Sequence, residues 1–203
     1  MEILQKTGGD FTNCFRLLSK VVQSSDEDVE EIINLLAGQT NTPKQMAIAF
    51  KPRMNPTQLT MLQNMLKSNP DNLRMFGISE EILKEEAEKM EIFEKWSKMS
   101  AQEKREQDRA LFREWLPKYR RRCSLEQVDI ETRVSLMSAN NPKYILRNYM
   151  LQNAISRAEK GDYSEVNTLL QLIKKPFDEQ PQFENYTARP PPDASSICLT
   201  CSS

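Results

Sequence analysis

Four times in this chain a short polar residue stands directly before a proline, at Thr42-Pro43, Asn55-Pro56, Asn69-Pro70 and Asn141-Pro142. The first residue of each pair can accept a free N–H of a helix's opening turn. Proline fits the first helical position because the N–H it lacks would have no partner there. Punctuation of this kind confines the chain to helices, and strand signals are few. Ser25 ahead of Asp26, Glu27 and Asp28 marks another helix start, and Gly38 after "IINLLA" supplies a left-handed stop. Ser100-x-x-Glu103 and Ser124-x-x-Gln127 fit the capping box. The expected fold class is all-α, with a helical domain over residues 1–176.

Apolar spacing shows which faces should be buried. Leu83, Ala87, Met90 and Phe93 form one stripe at helical spacing, and Leu111, Phe112, Trp115 and Tyr119 form another. Dense charge around both predicts a solvated helical hairpin, and Pro117 is expected to interrupt and kink its second arm. The heptad does not persist, so a coiled-coil partner is not expected.

The segment "NNPKYILRNYMLQNAISRAEKGDYSEVNTLLQLIKKP" carries the densest signal. Asn141-Pro142 is read as opening a helix in which Tyr144, Ile145, Leu146, Tyr149, Met150, Leu151, Ala154, Ile155 and Ala158 cover far more than one stripe, so that most of its sides are buried. Arg147 and Asn148 fall inside this wrap and need polar partners, expected to be neighbouring backbone carbonyls. Asn141, Pro142, Tyr144, Arg147, Asn148 and Tyr149 are thus candidate structural or interface residues. Gly161 ends this helix, Ser164 caps the next and Pro176 closes it. Residues 177–203 carry four prolines and no period, and read as a flexible Pro-rich tail.

Composition excludes several kinds of chemistry. There is no histidine, which removes imidazole as base, ligand or switch. Lysines and arginines (28) nearly balance aspartates and glutamates (29), so no nucleic-acid partner is expected. The run "KYRRRC" is read as cations at the negative pole of a helix. No stretch approaches the roughly 18 to 20 apolar residues of a membrane span, and "MEILQKTGGD" lacks the basic start and apolar run of a signal peptide, so no membrane partner is expected. The glycines form no phosphate-cradling loop. No catalytic, cofactor-binding or metal-ligating residue is expected in this chain. Its apolar share, 38%, is low for a globular domain, usually about 45 to 50%, and suggests an extended helical body or a core completed by something else.

Cys14 and Cys123 lie in amphipathic surroundings, where cysteine acts as a small buried hydrophobe. Cys198 and Cys201 form a C-x-x-C pair near the carboxyl end. A structural zinc site wants four ligands, and a single pair without histidine is weak evidence for one. The bare spacing leaves a redox pair and unreacting terminal thiols both open.

"TGGDFTNCFRLLS", "NNPKYILRNYMLQNAI" with "GDYSEVNTLLQLI", the "RPPPD" of the tail and the terminal "CSS" together resemble the carboxyl-terminal part of the selenoprotein O family. Between about residues 80 and 130 only generic helix is recognised. The resemblance implies a kinase-like parent protein that binds ATP with Mg or Mn and transfers AMP to hydroxyl side chains of substrate proteins, in mitochondria. Its nucleotide and metal sites precede the region present here, and none of their residues can be carried over. The chain is then expected to be a helical fragment whose partner is the missing kinase-like core, with Cys198 and Cys201 as a redox pair. Vertebrate members place selenocysteine between the last cysteine and Ser-Ser, whereas here Ser202 follows Cys201. Either a selenocysteine is dropped from the sequence or this member uses thiols alone. The alternative is a stand-alone, non-enzymatic helical interaction module.

Overall fold

The computed structural model describes residues 2–21, 26–68, 77–192, 194 and 197, with the backbone alone at 26 and 27. Ser25, Asn69-Pro70, Cys198 and Cys201 lie outside the described residues. The helices are α1 (Glu2–Thr7), α2 (Phe11–Leu18), α3 (Asp26–Gly38), α4 (Pro43–Ala49), α5 (Pro56–Ser68), α6 (Glu80–Lys98), α7 (Ala101–Ser124), α8 (Ile130–Asn140), α9 (Asn148–Ala158) and α10 (Ser164–Lys174), followed by a 3-10 turn, Pro181–Thr187. No strand occurs among the described residues, as the helix punctuation demands.

Two of the cap-and-proline starts form as read. Thr42 and Gln45 satisfy each other's backbone at the head of α4, and Asn55 and Gln58 do the same ahead of Pro56. Gly161 adopts a left-handed φ of 82° behind α9, which a side chain would strain. Gly38 ends α3 without a positive φ.

The reading of Asn141-Pro142 as a helix start is overturned. Asn141 is the extended C-cap of α8 and donates from its backbone to the Met137 carbonyl. The residue before a proline is pushed towards extended backbone, so here the pair closes a helix. Residues 141–147 then run irregularly, with Lys143 and Tyr144 both donating backbone N–H to the Pro176 carbonyl. α9 begins only at Asn148 and buries just Met150 and Ala154, so it is not wrapped on most sides. Ser124 is likewise the last residue of α7, and Asp129 caps α8 instead. Ser164 is the first residue of α10, its backbone held by the Asp162 carboxylate. Pro117 does not end α7, which continues to Ser124. Its position is exposed, where a carbonyl left without its partner can meet water.

The chain divides into two units, Met1–Asn41 with Gln102–Ser203, and Thr42–Ala101. The two arms expected as one hairpin belong to different units. In the smaller unit α6 packs on α4 and α5, burying Leu83 with Met46, Ala47 and Leu59. The larger unit holds two apolar clusters. In the first, α1, α2 and α3 close over Phe112 and Leu116 of α7, with Cys14, Leu18, Ile33 and Leu36 between them. In the second, Tyr144, Met150 and Ala154 meet Leu169 and Leu172 of α10, and Phe183 and Tyr186 of the 3-10 turn lie against them. Residues 177–190, read as tail, therefore rest on the helical body of this unit.

Candidate functional site

The most concentrated chemistry in the larger unit lies where the "TGGDFTN" loop meets the segment after Pro176. Asp10 caps α2 by accepting the Asn13 N–H, as a short acid before "FTNCFRLL" should. Its other oxygen takes Nη2 of Arg147 at 2.6 Å, with the carboxylate 5% and the arginine side chain 16% exposed. Arg147 is therefore held by a carboxylate and not by the carbonyls expected. Asn148, expected to be buried, is exposed. Tyr149 is half-buried, and its hydroxyl is pushed up by burial.

A row of polar contacts fastens the tail to this loop. Arg16 donates to the Asn141 carbonyl at 2.9 Å and to Glu179 at 2.6 Å. Lys143 reaches Glu179 at 2.5 Å and Glu184 at 2.6 Å. Burial works against the Lys143 ammonium, but the two carboxylates more than offset it and raise its pKa. The Tyr144 hydroxyl donates to the Gln180 carbonyl and accepts the Gln180 N–H. Asn13 bonds the Gln39 side chain and the Thr187 carbonyl. Of the candidate interface residues, then, Asn141, Tyr144 and Arg147 belong to this latch; Pro142 sets its backbone, while Tyr149 supports the apolar cluster beneath.

Arg189 ends the row. It donates to the Thr40 carbonyl and to Oδ1 of Asn41, and burial pulls its guanidinium below the usual range. Thr40 passes the contact inward, its hydroxyl meeting Oδ2 of Asp108 at 2.6 Å. Asp108 pairs with Lys104, which also donates to the Thr7 carbonyl at 3.1 Å. Lys104 and Asp108 are each 2% exposed, and burial lowers the lysine's pKa. Asp10, Arg16, Lys104, Asp108, Glu179 and Arg189 all escaped the sequence reading. For the pair in α7 a signal existed, because Lys104, Asp108, Phe112 and Leu116 share one face four residues apart.

Two openings flank Arg189. One, of about 430 Å³, includes Arg16, Lys20, Gln39, Lys143 and Glu179 in its wall. The other, of about 370 Å³, is lined by Gly8, Gly9, Asp10, Phe11, Arg147 and Arg189 among others. Among the described residues no three acidic or cysteine side chains gather so as to hold a metal ion. Cys14 is buried at 0% exposure, and burial pushes its thiol up to about 12.

Comparison with known proteins follows the same outline. The family model for "Protein adenylyltransferase SelO" matches residues 1–174. The mouse "Protein adenylyltransferase SelO, mitochondrial" is 33% identical over 223 residues, covering 100% of this chain and 33% of that protein. Its human counterpart is 33% identical over 230 residues, with 100% of this chain and 34% of the relative covered. The "Protein nucleotidyltransferase YdiU" of Herminiimonas arsenicoxydans is 50% identical over 96 residues, 47% of this chain and 19% of that protein. The chain spans about a third of the length of the mouse and human relatives. It belongs to the protein adenylyltransferase SelO family.

Proposed function

We propose that this chain is the helical carboxyl-terminal part of a protein adenylyltransferase and works on a kinase-like core supplied by other residues. That core would bind ATP with Mg or Mn and pass AMP to Ser, Thr or Tyr hydroxyls of substrate proteins. The observation carrying this reading is the match along 100% of this chain to only 33% of the mouse relative. The chain's part is to brace the core and to present the Cys198–Cys201 pair as a reversible redox control. Attachment of the tail as far as Arg189 supports this role, because it gives the pair a fixed base. The names of the mouse and human relatives favour a mitochondrial setting.

Calorimetry of the isolated chain with ATP and either metal tests the division of labour. No binding above background is expected, and micromolar, magnesium-dependent binding would sink the proposal. If an open frame upstream of Met1 continues into a kinase-like domain, transfer of labelled AMP by that longer protein should require residues 1–176. Absence of such a frame would also overturn the reading.

A further inference from the structure

The opening at the "GGD" loop has the makings of an anion site. Its lining carries two guanidinium groups, Arg147 and Arg189, against one carboxylate, Asp10, so one positive charge is left over. Asp10 is fully engaged, with Oδ2 on Arg147 and Oδ1 on the Asn13 N–H. Arg189 is bonded only to neutral oxygens, the Thr40 carbonyl and Asn41 Oδ1, with no carboxylate at ion-pair distance among the described residues. The Nε of each arginine is buried without a partner. Asp10 and Asp108 offset part of the cost of burying Arg189, yet one carboxylate in the lining serves two guanidinium groups, and a partly buried cation favours a further opposite charge.

The backbone adds donors from a third direction. Phe11 and Thr12, also in the lining, are the first two residues of α2, whose opening N–H groups have no intrahelical partner and carry the positive end of the helix dipole. Gly8, with φ 64°, turns the chain ahead of them. A Cβ on Gly9 would stand 2.8 Å from Leu4 Cδ2, so glycine is what lets the loop lie tight against α1. Two guanidinium groups and a helix start lining one opening suit a tetrahedral oxyanion, which accepts several hydrogen bonds.

We infer that the opening bounded by Gly8, Gly9, Arg147 and Arg189 binds a phosphoryl oxyanion, either free phosphate or the phosphate of a small nucleotide. Occupancy bridges the amino-terminal loop to Arg189 and so tightens the tail on the body. The AMP-transfer reading assigns its nucleotide to residues outside this chain, so failure of the anion site would leave that reading standing.

The test titrates the full chain with inorganic phosphate at constant ionic strength, following the amide resonances of Gly8, Gly9, Phe11 and Thr12. Saturable shifts are expected, with affinity falling at least about ten-fold in Arg189→Gln and unchanged in Lys118→Gln, which removes an exposed charge on α7. Circular dichroism of Arg189→Gln should match the parent, which separates lost binding from lost folding. A parallel titration with AMP distinguishes the sources: affinity at least about ten-fold tighter than phosphate, with the same dependence on Arg189, assigns a nucleotide, and equal or weaker affinity assigns the free anion. Linear, non-saturating shifts, or equal weakening in both variants, would overturn the site.

Discussion

Arg147 and Asp10 meet at 2.6 Å although 137 residues separate them, joining the lead-in to α9 to the cap of α2. Removing one member of a buried ion pair strands the other, at a cost of about 3 to 5 kcal/mol when burial is complete. Arg147 keeps 16% exposure, so a smaller loss, about 2 to 3 kcal/mol, is expected for Arg147→Met. Asp10→Ala should lose about 1 kcal/mol more than Asp10→Asn, because alanine also abolishes the cap. Urea unfolding followed by circular dichroism gives both differences. Equal stability of the Asp10 variants would mean that the cap contributes nothing.

The Lys104–Asp108 pair should show the same asymmetry more strongly. Lys104→Met leaves Asp108 buried at 2% exposure with the Thr40 hydroxyl still donating to it, and about 3 to 5 kcal/mol should be lost. Adding Asp108→Leu should restore part of that loss, since a matched apolar pair tolerates burial. A double variant less stable than Lys104→Met would show that the Asp108 contact to Thr40 outweighs the charge effect.

The tail latch should open in acid. Hydrogen bonding from Lys143, and then the charges of Lys143 and Arg16, hold the Glu179 carboxyl below its ordinary 4.5, with burial opposing. A depressed folded pKa means that the contact's contribution is complete above about 4.5. It is lost as pH falls through the lower folded value. Amide shifts of residues 181–187 should therefore move together below that point, and the step should vanish in Glu179→Gln. A step at neutral pH would implicate another group.

α10 divides its apolar residues between two environments. Leu169 and Leu172 are buried, whereas Val166, Leu170 and Ile173 are each 40 to 44% exposed. Leu169→Ala should cost about 2 to 5 kcal/mol. Leu170→Lys should stay within about 0.5 kcal/mol. The reverse order in thermal melts would mean that the helix packs by its other face.

Cysteine reactivity offers a separate check. Cys14 and Cys123 are buried and free, and the Cys14 thiol lies near 12, so neither should react with iodoacetamide at pH 8 before unfolding. Mass spectrometry after brief native alkylation should find label on Cys198 and Cys201 alone. Rapid labelling of Cys14 would contradict its burial.

Local signals read well wherever the partners were near in sequence. Thr42 with Gln45, Asn55 with Gln58 and the left-handed Gly161 needed only a few residues of context. Asn141-Pro142 carried the same local pattern and did the opposite, because α8 already ran into it and the freed N–H groups of Lys143 and Tyr144 found the Pro176 carbonyl. The site was less legible still. Arg147 could be seen to need a partner, but nothing local names Asp10. Glu179 and Arg189 sit in a stretch without period, where side-chain pairing and not apolar spacing supplies the order. Lys104 and Asp108 were hidden by their charge, which suggests a solvated face until the four-residue spacing to Phe112 is noticed.

The Asn13–Thr187 contact spans 174 residues, and that span fixes an order of events during synthesis. As the chain leaves the ribosome, the "TGGDFTN" loop emerges well ahead of Glu179, Thr187 and Arg189. At the usual pace of about 5 to 20 residues per second, the loop waits on the order of ten seconds or more with Arg16 and Asn13 unmatched. A chaperone that holds such a loop until its partners emerge would therefore act on a nascent chain.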